Sequence, residues 1–244
     1  MRNNSSFLNV YKKKSIKSEV VTQLIYGDTF KKIKKTGDWI KIKNNYDNYI
    51  GYIKNKNFPA FQKNSHKVHV LLSNLYAKPN NRSKIKKKLS FGSRILVTGK
   101  KNGFFKFEKI WIKKKDVKKI NFKSSNIFKD SIKFIGVKYK WGGKHFSGID
   151  CSALVQLCLN FNNKFCPRDT KDQIKYFKRK IDFKKIKKGD LVFWKGHVAI
   201  VISKSKLIHA YGPSKKTLIM PIKLTIKRIE KTANLKVIGI RRIK

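Results

Sequence analysis

The chain has 244 residues, 40% of them hydrophobic and 12% aromatic, with 61 basic against 13 acidic side chains for a net charge of +48. That apolar content, with only 14 glycines and 5 prolines, excludes a disordered or fibrous chain. No apolar run approaches the roughly 20 residues that span a bilayer, and the opening MRNNSSFLNVYKKK lacks the apolar core of a signal peptide, so no transmembrane segment and a cytoplasmic location are expected. The charge invites a nucleic-acid reading, which its make-up weakens. Only eight of the 61 basic residues are arginine, and the 53 lysines are spread along the chain among abundant Ile, Asn and Phe. Recognition of phosphates and bases favours clustered arginine forks, whereas diffuse lysine enrichment follows from A- and T-rich codons, so no specific nucleic-acid partner is expected.

Up to about Lys119 the chain reads as short strands with turn signals between them. Two stretches echo one another: YGDTFKKIKKTGDWIKIKNNYDNYIGYIKNKNF, and LYAKPNNRSKIKKKLSFGSRILVTGKKNGFFKFEKIWIKKKDV. Each runs from an apolar strand through a glycine-containing turn to an aromatic-led strand and a lysine-rich close. Two small β-barrels in tandem, over residues 1–62 and 63–122, are the expected arrangement. A module of roughly 60 residues buries little core alone and gains from packing on a neighbour.

From residue 123 to 244 the pattern changes to an expected α+β domain, helix first and antiparallel sheet second. In DCSALVQLCLNF the apolar positions 151, 154, 155, 158 and 159 recur at helical spacing, with Asp150 where an N-cap belongs. A polar helix is expected over Thr170–Lys180, followed by strands in DLVFW, HVAIVIS, KLIHAYG and LKVIGIRRI. The three cysteines, Cys151, Cys158 and Cys166, make no CxxC pair, which argues against a zinc knuckle or a disulfide framework. A thiol at a helix N-terminus faces free N–H groups that favour thiolate, so Cys151 is the candidate nucleophile, and Cys158 and Cys166 read as buried core thiols.

His197 opens a strand after the turn Lys195-Gly196, and His209 lies on the next strand. A base needs reach to the thiol and a partner on its second ring nitrogen, which suits His197 and His209 in that order. A three-residue connection, Ser203-Lys204-Ser205, would put both rings on one sheet face as diagonal neighbours; a four-residue connection would separate them. His66, His69 and His145 read as solvated or structural.

YKWGGKHFSGIDCSALVQ, PRDTKDQ, KKGDLVFWKGHVAIVI and LIHAYG, in that order, resemble the catalytic domain of the NlpC/p60 superfamily of papain-like cysteine peptidases, over about Asn126 to Lys244. With two bacterial SH3-like modules ahead of it, the chain is similar to the gamma-D-glutamyl-L-diamino acid endopeptidases of the dipeptidyl-peptidase VI type. The resemblance implies hydrolysis of the D-Glu–diamino acid bond in muropeptides bearing a free N-terminal L-Ala, with Cys151 as nucleophile, His197 as base and His209 as third polar residue. It implies that Asp150, Ser152 and Tyr139 line the substrate site, Asp150 pairing the free α-amine, and that an acidic residue and a tyrosine of the first module close the amine end, for which Glu19 and Tyr49 or Tyr52 are the candidates. No metal or organic cofactor is required. Trp141, Gly142 and Gly143 are expected to shape a loop, Asp190 to cap a turn and Trp194 to fill the core. Two readings stay open beside this one: another papain-like amidase or wall-remodelling endopeptidase, and a polymer-binding protein whose peptidase domain is only scaffold.

Overall fold

The computed structural model describes residues 1–243, and the chain divides into two compact units. The first comprises Met1–Phe122 with Lys144–Phe146, the second Lys123–Gly143 with the residues from Ser147 on.

In the first unit, strands β1 (Phe7–Tyr11), β2 (Val20–Ile25), β3 (Phe30–Thr36), β4 (Trp39–Asn44) and β5 (Ile50–Lys54) form an antiparallel sheet in the order β2-β1-β5-β4-β3. Alternation of lysine and isoleucine along β4 turns Ile40 and Ile42 inward, where they join Val10, Leu24, Phe30 and Ile53 in one apolar core. A second set follows: β6 (His66–Val68), β7 (Leu72–Tyr76), β8 (Ile85–Ser90), β9 (Arg94–Ile95), β10 (Gly99–Lys101), β11 (Phe104–Phe107), β12 (Ile110–Lys113) and β13 (Val117–Lys119). These make a five-stranded sheet, β10-β11-β12-β7-β8, and a three-stranded one, β13-β6-β9, around Val68, Leu75, Leu89, Phe107 and Ile112. The two sets share burial, as their small size demands. Tyr26, from the first, is fully buried in the core of the second, edge-on to Phe107 at 5.8 Å. The same unit includes the short strand β14 (Lys144–His145), with Lys144 Nζ 3.2 Å from Asp28 and the His145 ring 4.6 Å from Phe7, so His145 is structural.

The second unit is the α+β one. After β15 (Gly148–Ile149) come helix α1 (Cys151–Phe161) and helix α2 (Thr170–Tyr176). An antiparallel sheet is then built from β16 (Arg179–Lys180), β17 (Asp190–Trp194), β18 (His197–Val201), β19 (Lys206–Tyr211), β20 (Lys216–Pro221) and β21 (Gly239–Arg242), in the order β16-β21-β17-β18-β19-β20. Helix α3 (Ile222–Ala233) separates β20 from β21. Every residue of α1 is buried, the polar Ser152, Gln156 and Asn160 included, and it packs against β18 and β19. Burying Leu154, Leu157 and Leu159 alone stabilises its placement by roughly 1.5–3 kcal/mol each.

Helix α2 is shorter than its sequence suggests. The chain leaves helical geometry at Phe177, which turns extended (φ −81°, ψ 95°) and buries its ring. Asp190 and Trp194 occupy structural roles: Asp190 accepts from the Lys187 backbone N–H at 2.9 Å and pairs with Arg242 at 2.7 and 2.8 Å, and Trp194 lies in the core.

Candidate active site

Asp150 stands in extended conformation at the start of α1 and accepts from the Ala153 backbone N–H at 2.8 Å. This cap fixes Cys151 as the first helical residue. The loop before it is held by close backbone approach: a Cβ on Gly143 would come within 2.6 Å of the Gly148 carbonyl oxygen, and the Gly143 carbonyl accepts from the Asp150 N–H at 3.3 Å. Trp141, in the same loop, is exposed.

Hairpin β17–β18 brings His197 to the helix. Trp194 pairs with His197 across the turn Lys195-Gly196, where Gly196 takes φ +76°, a conformation that glycine adopts without strain. The Cys151 thiol points at the Gly196 carbonyl at 4.0 Å and lies against the backbone N–H groups of Val198 and Ser152. The next connection is the three-residue one: Ile200 pairs with Ile208 and Val201 with Leu207, centred on Lys204. His197 and His209 therefore share a face as diagonal neighbours, with His197 Nε2 2.9 Å from His209 Nδ1. His209 stacks on Tyr211 at 4.7 Å and 12° and is fully buried.

Burial sets the electrostatics. Desolvation, then the charge of Asp150, pushes the Cys151 thiol up to about 12, against the opposing pull of the Val198 N–H, Arg168 and the Ser152 N–H. Desolvation lowers His197 to about 4, and desolvation with the neighbouring His197 lowers His209 to about 3. Burial thus opposes charge on both the thiol and the imidazole. Loss of water around the sulfur therefore works against the thiolate that the helix terminus favours. Cys158 and Cys166 are fully buried, and all three cysteines are free.

Arg168, absent from the sequence reading, holds the Asp150 cap. Its Nη1 donates to Asp150 Oδ1 at 3.0 Å and to Ser152 Oγ at 2.8 Å, and its Nη2 donates to Asp150 Oδ2 at 2.5 Å. Ser152 Oγ also donates to Asp150 Oδ1 at 3.1 Å. Three acceptances thus fall on Oδ1, and Oδ2 takes the Arg168 bond. The available signal was a lone arginine beside a proline in the PRDTKDQ stretch of a lysine-dominated chain. Tyr139 is half-buried within electrostatic reach of Cys151 and Asp150, and its phenol is pushed up mainly by burial.

Cys151, His197, His209, Asp150, Ser152 and Tyr139 all lie in the second unit. Glu19, Tyr49 and Tyr52 belong to the first. Glu19 is exposed and paired with Lys12 at 3.1 Å, the Tyr49 N–H donates to Asp47 at 3.1 Å, and Tyr52 stands on β5 opposite Tyr11 and Lys41.

Residues 136–228 match the NlpC/P60 family, and residues 6–59 match the bacterial SH3 domain. The chain is 26% identical over 233 residues to the gamma-D-glutamyl-L-lysine dipeptidyl-peptidase of Bacillus subtilis (strain 168), covering 85% of this chain and 77% of that protein. It is 33% identical over 85 residues to dipeptidyl-peptidase 6 of Lysinibacillus sphaericus, covering 35% of this chain and 31% of that one, so the chain spans about a third of that relative. In fold it is similar to a NlpC/P60 family protein from Bacillus cereus, with a TM-score of 0.84 at 19% identity over 99% of this chain and 98% of the other. The chain carries an NlpC/P60 domain preceded by a bacterial SH3 domain.

Proposed function

We propose that the protein is a cysteine peptidase that hydrolyses the bond between D-Glu and a diamino acid in muropeptides bearing a free N-terminal L-Ala. The observation that carries the reading is the His197–His209 pair, 2.9 Å apart, on the strands against the capped end of α1 where the Cys151 sulfur sits. Cys151 gives its proton to His197 as the sulfur attacks the γ-carbonyl carbon. The developing oxyanion is stabilised by a backbone N–H at the start of α1. His197 then donates that proton to the departing amine, and a water deprotonated by His197 releases the D-Glu carboxylate.

Because burial disfavours charge on either group, transfer of the thiol proton to His197 accompanies the attack on the carbonyl. A permanent ion pair inside a dry site would first have to meet its desolvation cost. Asp150 Oδ2, with one bond from Arg168, keeps a lone pair for the substrate ammonium, and Ser152 and Tyr139 line the same end of the site. The similarity to dipeptidyl-peptidase 6 and to gamma-D-glutamyl-L-lysine dipeptidyl-peptidase supports the choice of bond. Three free cysteines fit a reducing compartment, consistent with action on released peptides in the cytoplasm. Mass spectrometry of L-Ala-γ-D-Glu-diamino acid peptides treated with wild type and with Cys151→Ala tests the reading. The dipeptide L-Ala-D-Glu should form with wild type alone. Its absence, or its formation by both proteins, would refute the proposal.

A further inference from the structure

The chain has two methionines, Met1 and Met220. Met220 lies on β20, where Leu207 pairs with Met220 and His209 with Leu218. His209 and Met220 are therefore diagonal neighbours on one sheet face, and His209 Nε2 is 3.4 Å from Met220 Sδ. A thioether sulfur has lone pairs and no proton, so in this contact the imidazole donates. A neutral imidazole has one N–H. With it directed at Met220, His209 Nδ1 is an acceptor, and His197 Nε2 is the donor across their 2.9 Å contact. His197 is then left with an unprotonated Nδ1.

From this chain of contacts we infer that Met220 is a positioning residue: its thioether holds His209 in the Nε2–H tautomer and so keeps His197 Nδ1 free to act as the base. In the opposite tautomer His209 Nδ1–H donates to His197 Nε2. His197 then carries its own proton on Nδ1 and cannot accept one from Cys151. In the productive arrangement the S–H bond breaks, the sulfur keeps the electron pair, and a new N–H forms at His197 Nδ1. The Nε2–H stays bonded to His209, and no proton passes through His209 or Met220. His209 is fully buried and stacked on Tyr211, so its donor depends on the side chain beside it.

The inference rests on His197 being the base of the proposed peptidase, but its primary test needs no substrate. Growth with norleucine in place of methionine changes only positions 1 and 220 and exchanges sulfur for a methylene of similar shape. Imidazole nitrogen NMR spectra of the full-length protein should show Nε2–H on both His209 and His197 in wild type. In the norleucine protein and in Met220→Leu, His209 should gain the Nδ1–H form, and kcat/KM should fall about tenfold through kcat with KM held, as expected when a buried donor loses its acceptor. An Nδ1–H tautomer at His209 in wild type, or nitrogen spectra unmoved by loss of the sulfur, would overturn the inference. If the spectra shift while the proposed peptides resist cleavage even with wild type, the peptidase reading fails and the positioning role stands.

Discussion

Arg168 grips Asp150 with both terminal nitrogens, Nη1 to Oδ1 at 3.0 Å and Nη2 to Oδ2 at 2.5 Å, and both side chains are almost completely buried. A buried carboxylate deprived of its guanidinium is an uncompensated charge, so Arg168→Met should destabilise the fold by about 3–5 kcal/mol in denaturant titrations. Arg168→Lys should recover only part of this, because one ammonium cannot reproduce the fork that meets Asp150 and Ser152 together. The double change with Asp150→Asn should cost less than the sum of the two singles. Strict additivity would mean the pair is not coupled.

Cys151→Ser should abolish hydrolysis with the thermal transition preserved, while Cys158→Ala and Cys166→Ala keep most activity and lose about 1 kcal/mol of stability. Iodoacetamide should reach Cys151 first, since it is 5% exposed and the others are fully buried. It should react more slowly than with an exposed cysteine, because burial works against the thiolate. Peptide mapping that finds Cys158 labelled first, with activity lost in step, would move the nucleophile.

His197→Ala should lower kcat/KM by orders of magnitude. His209→Ala should lower it less, because that change removes the partner that orients the base and leaves the proton carrier in place. Steady-state kinetics showing small, equal losses in the two variants would exclude this pair from catalysis.

The buried site also sets a pH window for stability. His197 and His209 have lowered values when folded, so below the ordinary 6.5 the unfolded chain binds more protons than the native one, and stability falls as pH drops toward 4 and 3. Cys151 has a raised value, so above the ordinary 9.0 the unfolded chain releases a proton that the native one keeps, and stability falls again as pH rises toward 12. Thermal unfolding followed against pH should give a plateau between about 6.5 and 9 with both limbs descending. The acid limb should become shallower in His197→Gln with His209→Gln; an unchanged limb would mean the two rings carry no such linkage.

The parts of this site that local pattern governs are readable from the chain. Asp150 before an apolar helix defines the cap, and strand alternation with a three-residue turn places His197 beside His209. What escaped is tertiary. Arg168 reaches Asp150 from a loop 18 positions along the chain. Met220 lies on β20, whose alternation is masked by Lys216, Thr217 and Pro221, and α3 follows it at once. The burial of the thiol escaped for the same reason, because a helix terminus is visible in the sequence and the water displaced by packing around it is not.

The most direct measurement compares cleavage of L-Ala-γ-D-Glu-diamino acid peptides with a free and with an acetylated N-terminus, read as L-Ala-D-Glu release by mass spectrometry. If Asp150 receives the ammonium, acetylation removes a charge-assisted contact and adds bulk beside a buried carboxylate. A loss of about 3 kcal/mol corresponds to roughly a hundredfold lower kcat/KM, and intact peptidoglycan, whose L-Ala is amide-linked, should resist likewise. Equal rates on the two peptides, or ready cleavage of intact wall, would contradict a dipeptidyl-peptidase and indicate an endopeptidase that does not read the amine.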